Sequence, residues 1–193
     1  MVCNRSYDTL MPQYGWLLDE KRCIECRACE AACKQWNNLD PGIQFRKVRT
    51  FESGKYPSVT TQALSWACNH CDRPYCMFVC PTKAISRRDD SGAVLIDATR
   101  CIGCGVCQEF CPYGALVLDA KTRKMMKCTM CVDRLDAGLQ PACATICPTG
   151  ALQFVPVEEM EQKGGVETPN FPYPHSTRPR IRFVENKWKG SSR

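Results

Sequence analysis

Short apolar runs recur along the chain, and each of them leads into or out of a loop that is rich in cysteine. Residues 18–24 and 96–102 share one pattern, in which an aliphatic residue and an aspartate precede an arginine, a cysteine and an isoleucine. A second pattern, Cys-Pro-x-x-Ala followed by Ile or Leu, occurs at residues 80–85, 111–116 and 147–152. Together these patterns predict a repeated unit of strand, cysteine loop, short helix, turn and strand.

The unit is expected to vary in three places. Cys33 has no proline after it, so the first short helix is predicted to continue as far as the Asp-Pro-Gly at residues 40–42. Residues 43–49, followed by a turn at residues 52–55, predict a hairpin. The long gap in the last cysteine loop predicts a short helix that ends near Gly138.

The chain changes character at Pro156. From there to the end it contains five prolines, which argue against a regular domain. It also contains four large aromatic residues, namely Phe171, Tyr173, Phe183 and Trp188. The simplest interpretation is a frayed tail. Large aromatic side chains are uncommon in a solvated tail, however, so we expect an extended arm that lies on another subunit.

Cysteine is the unusual feature of the composition, with 17 of the 193 residues. Apolar residues make up 44% of the chain when cysteine is included, and about 35% without it, which is thin for a purely aliphatic core. The 7 Phe, 6 Tyr and 4 Trp exclude intrinsic disorder. Something other than aliphatic packing should therefore help to hold the chain together.

The cysteines do not form the pattern of a secreted disulfide scaffold. Their number is odd, and residues 1–16 lack the apolar central run of a signal peptide. Most of them are grouped at gaps of two or three residues, whereas disulfides usually join distant segments. Residues 141–157 are uncharged, but they contain Pro, Thr, Gln and two of the grouped cysteines, unlike the ~20 apolar residues of a membrane-spanning helix, so any membrane association is expected through a partner.

Apart from Cys3, the cysteines fall into four groups of four. The groups are Cys23, Cys26, Cys29 and Cys33; Cys68, Cys71, Cys76 and Cys80; Cys101, Cys104, Cys107 and Cys111; and Cys128, Cys131, Cys143 and Cys147. The third group has the full Cys-x2-Cys-x2-Cys-x3-Cys-Pro run of bacterial ferredoxins, whose fourth cysteine reaches a second cluster. The first group lacks only the proline, and the other two have a longer gap before the third cysteine. This pattern predicts four [4Fe–4S] clusters.

Zinc is the main alternative metal, because it also accepts four sulfur ligands and often uses Cys-x2-Cys pairs. A zinc site usually joins two separated pairs and has no role for a third cysteine two residues later. A zinc-stabilised interaction module would be colourless, and about 16 irons per chain would exclude it.

The formal net charge of +6 first suggests a basic protein. Each oxidised cluster with its four thiolates carries about −2, so four clusters would bring the total to about −2. The lysines and arginines are scattered, and we interpret them as counter-charge for the clusters rather than as a nucleic-acid surface. No Ser/His/Asp grouping, P-loop or G-x-G-x-x-G run is present, so the chain is not expected to be an enzyme by itself.

A few residues near the cysteines lend themselves to structural roles. His70 lies between two cysteines, but four sulfur ligands are already available there, so we expect it beside a cluster or at the surface. Trp16, Trp36 and Trp66 flank cysteine loops and are expected to shield clusters from water. Cys3 is expected to be a free thiol.

Further motifs accompany the cysteine groups. They are residues 14–19 before the first group, Cys-Asn-His-Cys at 68–71, Cys-Thr-Met-Cys at 128–131 and the tail segment 177–181. With these motifs, residues from about 13 to 155 resemble the four-cluster iron–sulfur (beta) subunits of the dimethyl sulfoxide reductase family of molybdopterin oxidoreductases.

The resemblance implies an α+β fold with two nested ferredoxin-like bicluster modules, long connecting loops and an extended C-terminal arm. Residues 13–61 together with 119–155 would form the first module, from cysteine groups one and four. Residues 62–118 would form the second module, from groups two and three. Residues 156–193 would be an arm that binds a partner.

The ligand sets also follow from the resemblance, because spacing alone leaves open a tandem pairing of groups one with two and three with four. The implied sets are Cys23, Cys26, Cys29 and Cys147; Cys33, Cys128, Cys131 and Cys143; Cys68, Cys71, Cys76 and Cys111; and Cys80, Cys101, Cys104 and Cys107. Some relatives of the nitrate reductase type replace the second cysteine of group three and hold a three-iron cluster there. The presence of Cys104 therefore implies four irons.

By the same resemblance, the chain would relay single electrons between a quinone-linked membrane anchor and a catalytic subunit with a molybdenum or tungsten pterin. The cluster of Cys23 would lie nearest the catalytic subunit, and that of Cys101 nearest the anchor. The chain would fold in the cytoplasm, where thiols stay reduced, and sit at the inner membrane within a complex that a partner's signal could export. A soluble polyferredoxin with several partners is the remaining alternative.

Folding should be coupled to cluster insertion, because the ligand loops alone bury little apolar surface. We expect the metal-free chain to be largely unfolded, as measured by circular dichroism and thermal melting under reducing conditions. A cooperative melting transition in the metal-free protein would contradict this expectation.

Overall fold

The computed structural model describes residues 13–174 and 176–184, which form short helices and small sheets in a mixed α and β arrangement. In chain order the elements are β1 Tyr14–Leu18, α1 Ala28–Trp36, β2 Lys47–Lys55, β3 Ser58–Trp66, α2 Tyr75–Phe78, β4 Ile85–Arg87, β5 Val94–Ile96, α3 Val106–Glu109, β6 Leu116–Asp119, β7 Lys124–Lys127, α4 Val132–Asp136, α5 Ala142–Thr145, β8 Leu152–Pro156, α6 Val157–Lys163, β9 Gly164–Gly165 and β10 Ile181–Val184. Within these residues, no helix combines the length and apolarity needed to cross a bilayer.

The repeated unit predicted from the sequence is confirmed. Helices α2, α3 and α5 each have 4 residues, follow a cysteine loop and lead through a turn into a strand. The turn depends on the fourth residue of the shared Cys-Pro pattern, which adopts a left-handed conformation at Lys83 (φ 52°), Gly114 (φ 57°) and Gly150 (φ 61°). Glycine adopts this conformation without steric cost, which explains its presence in two of the three turns.

Strand β1 lies at the centre of the largest sheet, whose order is β8-β1-β10-β9. It pairs antiparallel with β8, which follows the last cysteine loop, and parallel with β10. This pairing brings the two ends of the described chain together, so α1 of the first loop packs against α5 of the last. The other sheets are the two-stranded pairs β2–β3, β4–β5 and β6–β7, and α2 packs against α3.

The main apolar core is built around aromatic side chains and cysteines together. Trp16 packs against Phe154 from the neighbouring strand, with ring centroids 5.1 Å apart. Five cysteines belong to the same buried cluster, namely Cys29, Cys33, Cys68, Cys128 and Cys143. The thin aliphatic content is therefore supplemented by sulfur, as the composition suggested.

The hairpin prediction was correct in kind but wrong in position. Strands β2 and β3 pair in continuous register from Lys47 opposite Trp66 to Lys55 opposite Ser58, so the turn falls at Tyr56 and Pro57. The expected turn at residues 52–55 is part of the strand. Proline has no N–H for a ladder hydrogen bond, which places Pro57 at the turn rather than within a strand.

Helix α1 also differs from its prediction, because it ends at Trp36 and not at residues 40–42. The side chain of Asn37 donates a hydrogen bond to the carbonyl of Cys33 at 2.8 Å, and Asn38 follows with a positive φ of 47°. Asparagine commonly ends helices in this way, and its side chain satisfies a carbonyl that the missing next turn leaves free. The short helix α4 and a positive φ at Gly138 match their prediction.

In its described part, the segment after Val155 is not the extended arm that its prolines suggested. It forms α6, β9 and β10, and β10 completes the sheet of β1. Phe171 is buried and contacts Trp66, Tyr113 and Phe183, with ring centroids 5.4, 5.6 and 5.0 Å away. The aromatic residues of the described arm therefore pack on this chain itself, since an intramolecular core buries them as well as a partner would. Trp188 lies outside the described residues.

Before it reaches β10, this segment passes beside the second cysteine group. The hydroxyl groups of Tyr113 and Thr177 are 2.7 Å apart, and the N–H of Asp72 donates to the carbonyl of Arg178 at 2.9 Å. The N–H of Arg180 donates to the carbonyl of Asn69 at 3.1 Å. The C-terminal segment therefore joins the second cysteine loop to the sheet of β1.

We expect Phe171→Ala to destabilise the protein by about 3–5 kcal/mol, because it removes a buried ring at the centre of an aromatic cluster. Phe78→Ala is the matched control, since Phe78 is 66% exposed and its loss should change stability by about 0.5 kcal/mol or less. The measurement is the midpoint of unfolding of the cluster-containing protein under anaerobic conditions. Equal effects of the two substitutions would show that the segment does not contribute to the core.

Candidate functional site

Three cavities are each lined by four cysteines. The first is lined by Cys23, Cys26, Cys29 and Cys147, called here the Cys23 set. The second is lined by Cys68, Cys71, Cys76 and Cys111, the Cys68 set. The third is lined by Cys80, Cys101, Cys104 and Cys107, the Cys101 set. Each set takes three cysteines from one loop and the fourth from another loop.

The remaining four grouped cysteines also lie near one another. They are Cys33, Cys128, Cys131 and Cys143, called here the Cys33 set, and all of them are buried. Cys33 interacts electrostatically with Cys143 and Cys131, and Cys128 interacts with Cys33 and Cys143. The three cavities therefore account for twelve of the grouped cysteines, and the other four interact electrostatically with one another.

Short helices connect neighbouring sets. Cys29 and Cys33 are one helical turn apart on α1, and Cys143 and Cys147 are similarly separated at α5, so the Cys23 and Cys33 sets are adjacent. Helices α2 and α3 connect the Cys68 and Cys101 sets in the same manner. Cys128 interacts electrostatically with Cys68, which makes these two inner sets neighbours. These links join the four sets in one series, called here the row, in the order Cys23, Cys33, Cys68 and Cys101.

The two ends of the row reach the surface. Cys26 in the first set and Cys104 in the last set are exposed, whereas the Cys33 set is entirely buried. Next to them Ile24 is 63% exposed and Ile102 is 64% exposed. These isoleucines occupy equivalent positions in the repeated sequence pattern. An apolar residue and a ligand-type cysteine therefore mark each end of the row.

Most of the grouped thiols are in surroundings that disfavour a bare thiolate. Burial raises the pKa of Cys33 and of Cys76 to about 12, and neighbouring cysteines add to the effect. Burial likewise raises the pKa of Cys107 to about 11. Without positive charge from a bound group, these side chains would be protonated at neutral pH. Metal-ligating cysteines must be deprotonated, so cations held at these sites would supply the missing charge.

Two thiols at the ends of loops are stabilised as thiolates by their own chain. Burial opposes ionisation at Cys80, but hydrogen bonds from Thr82 and from the Ala84 N–H lower its pKa overall. The Thr82 Oγ1 and the Ala84 nitrogen lie 3.6 and 3.3 Å from Sγ. Cys147 repeats this geometry with the Thr149 hydroxyl and the Leu152 N–H, and its pKa is also lowered. The threonine of the Cys-Pro-Thr pattern was the sequence signal for this contact, and it was missed.

Other donors approach cysteine sulfur from the strands and loops beside them. The N–H groups of Met125 and Met130 point to the sulfurs of Cys101 and Cys128, each at 3.4 Å. The Ser65 hydroxyl lies 3.4 Å from the sulfur of Cys29. Hydrogen bonds of this kind orient metal ligands and tune the reduction potential of a bound cluster.

His70 is more deeply placed than expected. It is 0% exposed and lines the cavity of the Cys68 set. Its Nδ1 accepts a hydrogen bond from the Val94 N–H at 2.9 Å, so the ring proton is on Nε2. Burial, together with nearby lysine and arginine charges, keeps its pKa well below the ordinary value, so the ring is neutral. His70 therefore lies beside the Cys68 set, which was one of the two expected placements.

The three tryptophans near the cysteine loops differ in their surroundings. Trp16 and Trp66 are buried in the main core, as expected of side chains that exclude water. Trp36 is 42% exposed, donates a hydrogen bond to Asp133 at 2.8 Å and is covered by the guanidinium of Arg134. For Trp36, the expected shielding role was wrong, because its helix ends there and turns the ring toward the surface.

Two buried cations were not foreseen from the sequence. Arg46 is 1% exposed and Lys127 is 4% exposed. The Lys127 ammonium donates to the carbonyl of Cys128 at 3.1 Å and to that of Val94. Buried positive charges beside cysteine sulfur are the counter-charge that an anionic cluster needs. Neither residue belongs to a recognisable motif, so only the folded protein reveals them.

The donor sets fit a cubane cluster in number and chemistry. Each set offers four soft sulfur ligands in apolar surroundings, with N–H and O–H donors to sulfur. Within residues 13–174 and 176–184, no three His, Cys, Asp or Glu side chains are grouped as a single metal ion would require. The ligands of a cubane are bound to different iron atoms, so they surround a larger space than the ligands of one ion do.

Comparison with known proteins identifies relatives over most of the chain. The family of the 4Fe-4S dicluster domain matches residues 59–157. The chain is 41% identical over 184 residues to YnfG, a probable anaerobic dimethyl sulfoxide reductase subunit of Escherichia coli, covering 90% of this chain and 89% of the relative. It is 38% identical, with the same coverage, to the B subunit of the anaerobic dimethyl sulfoxide reductase of that organism. It is 43% identical to the thiosulfate reductase electron transfer subunit PhsB of Salmonella typhi over 155 residues, 79% of this chain and 80% of the relative.

Proposed function

The protein belongs to the family of dimethyl sulfoxide reductase B subunits, and we propose that it carries four [4Fe–4S] clusters arranged in one row. It is an iron–sulfur electron-transfer subunit and not a catalytic one. Each cluster, when bound, supplies one-electron chemistry, and the residues of the protein hold it, exclude water and balance its charge.

The grouping of cysteines around the cavities is the observation that carries the proposal. Three cavities each receive four cysteines, drawn from two different loops. The same grouping supports the nested modules, residues 13–61 with 119–155 and residues 62–118. A tandem arrangement would instead require Cys147 to lie with cysteines of the third group. In the fold, Cys147 lies beside Cys23, because β1 pairs with β8.

The arrangement suits the relay of single electrons. Adjacent sets share a short helix or interact electrostatically, so neighbouring clusters would be close to one another along the row. The inner Cys33 set is buried, which would protect a cluster from water and oxidants, whereas the end sets reach the surface where partners could exchange electrons. The protein has to supply neither a substrate pocket nor a proton relay for this task.

We further propose that the partners are a catalytic subunit with a molybdenum or tungsten pterin and a membrane anchor. The relatives named above are subunits of dimethyl sulfoxide and thiosulfate reductases, which supports a catalytic partner. The exposed Ile24 and Ile102 beside the end sets provide small apolar contacts for two partners. The C-terminal arm no longer favours a partner over a soluble polyferredoxin, because its described part packs on this chain. The family relationship favours the complex instead.

Paired substitutions test the ligand sets. Cys26→Ala and Cys147→Ala should each abolish or convert the same cluster, because both cysteines belong to the Cys23 set. Cys80→Ala and Cys104→Ala should together affect a different cluster, that of the Cys101 set. The measurements are the iron content and the electron paramagnetic resonance spectrum of each reduced variant, compared with about 16 irons in the unmodified protein.

Cys3→Ala is the matched control, since Cys3 lies outside the four groups, and it should leave iron content and spectrum unchanged. If Cys26→Ala and Cys147→Ala altered two different signals, the nested sets would be wrong and the tandem pairing favoured. A colourless protein with zinc in place of iron would reject the clusters altogether.

Anaerobic purification of the native protein tests the partners. We expect the protein to remain bound, through high salt, to a large subunit that contains molybdenum or tungsten, as measured by mass spectrometry and metal analysis of one sample. A stable complex requires a sizeable interface, whereas a polyferredoxin makes transient, salt-sensitive contacts. Recovery of an iron-loaded monomer would favour the polyferredoxin.

A further inference from the structure

Arg46 is a buried cation with no acidic partner among the described residues. It precedes β2 and is 1% exposed. None of the salt bridges in the described part of the chain includes it, although the same region contains Glu25, Glu30 and Asp40. An isolated charge in the protein interior costs several kcal/mol unless a counter-charge lies nearby. The partner of Arg46 must therefore be something other than a carboxylate of the described residues.

Its contacts hold the guanidinium in one place. The Nη1 group donates to the carbonyl and to the hydroxyl of Ser65, each at 3.3 Å. The guanidinium carbon lies 4.4 Å from the centre of the Trp16 ring. Ser65 in turn contacts the sulfur of Cys29 at 3.4 Å, so the arginine is linked through one hydroxyl to a cysteine of the Cys23 set. Fixed in this way, the charge cannot turn away to solvent.

Two of its donor groups lack partners. The Nε and Nη2 atoms of Arg46 are buried and have no hydrogen-bond acceptor among the described residues. Buried donors of a charged group are nearly always satisfied in folded proteins. The unused donors therefore indicate an acceptor that the polypeptide itself does not provide.

The surroundings identify the kind of acceptor. Four cysteines interact electrostatically with Arg46, and their negative charge would stabilise its cationic form, namely Cys143, Cys29, Cys128 and Cys33. One of them belongs to the Cys23 set and three to the Cys33 set, so the guanidinium lies at the junction of these two sets. The Arg46 backbone also hydrogen-bonds to Cys33, which places both its main chain and its side chain toward the sites.

We propose that Arg46 is a shared counter-charge for the first two clusters of the row, with its free N–H groups directed to their sulfur atoms, and that it raises the reduction potentials of both. This inference rests on the proposed ligand sets. Reduction adds one negative charge to a cluster, and a fixed positive charge nearby stabilises that state. Arg46 itself gains and loses neither an electron nor a proton, because its side chain is charged at all ordinary pH values.

Arg46→Gln tests the proposal in the cluster-containing complex. It removes the charge and keeps a polar, though shorter, side chain. Reduction of the clusters in the Cys23 and Cys33 sets should become less favourable by a factor of about ten or more. A factor of ten corresponds to a fall of about 59 mV in the reduction potential of a one-electron couple. The clusters of the Cys68 and Cys101 sets should change much less. Redox titration followed by electron paramagnetic resonance measures each signal separately, after the cysteine variants have assigned it.

Arg49→Gln is the matched control. Arg49 is a neighbouring arginine on β2, but it is exposed and its guanidinium lies 4.8 Å from the centre of the Trp66 ring. Removing the same charge from this position should leave all four potentials unchanged, because solvent screens it. Unchanged potentials of the first two clusters in Arg46→Gln, or an equal shift of all four clusters, would overturn the proposal.

If the Arg46→Gln protein does not assemble its clusters, Arg46→Lys serves as the second test of the proposal. Lysine retains the charge but not the planar set of donors. It should assemble all four clusters with the first two potentials close to those of the unmodified protein. Failure of this variant as well would show that the shape of the guanidinium, and not its charge, is required, and would overturn the proposal. The iron content of the unmodified protein tests the proposed function independently of both variants.

Discussion

The burial of sulfur ligands is the constraint on which the rest of this structure depends. A chain of 193 residues carries sixteen grouped cysteines, eight of which are buried, although a buried thiolate is unfavourable without nearby positive charge. The raised pKa values of Cys33 and Cys76 show how strongly the fold disfavours bare thiolates. In the proposed state, iron supplies most of the compensating charge, and the protein adds Arg46, Lys127 and N–H donors such as those of Ala84 and Leu152. Cysteine is thus at once the proposed ligand and a large part of the core.

The same constraint explains the row. A helix that carries two cysteines one turn apart places them in two adjacent sets, so every short helix of this kind ties two sites together. Four such helices, together with the electrostatic interaction between Cys128 and Cys68, would link the four proposed sites within one small protein. The Cys33 set is then insulated by the protein itself, and the outer sets meet the surface at Cys26 and Cys104. The apolar Ile24 and Ile102 at these ends are exposed and lie outside the core.

The predictions from sequence succeeded where the signal was local and failed where it was not. The repeated unit was correct, since proline and glycine at fixed positions after each cysteine loop define its short helix and turn. The hairpin was found, but its turn was placed too early, because Gly54 was taken as the turn and Pro57 was overlooked. The C-terminal segment was expected to be extended because of its prolines. These prolines lie mainly between α6 and β10, and they leave Phe171 and Phe183 free to enter the core.

By itself, the sequence determined which residues are available as ligands and what class of cofactor they suit, because thiolate type and spacing within a loop are local properties. It also determined the elements around each loop. Only the tertiary structure decided which cysteines face one another, because both nested and tandem pairings satisfy the spacing and only the pairing of β1 with β8 brings Cys147 to Cys23. It likewise decided that His70 and Arg46 are buried beside the sites. Their surroundings are built from strands and loops far apart in the sequence, and such long-range packing leaves no periodic signal along it.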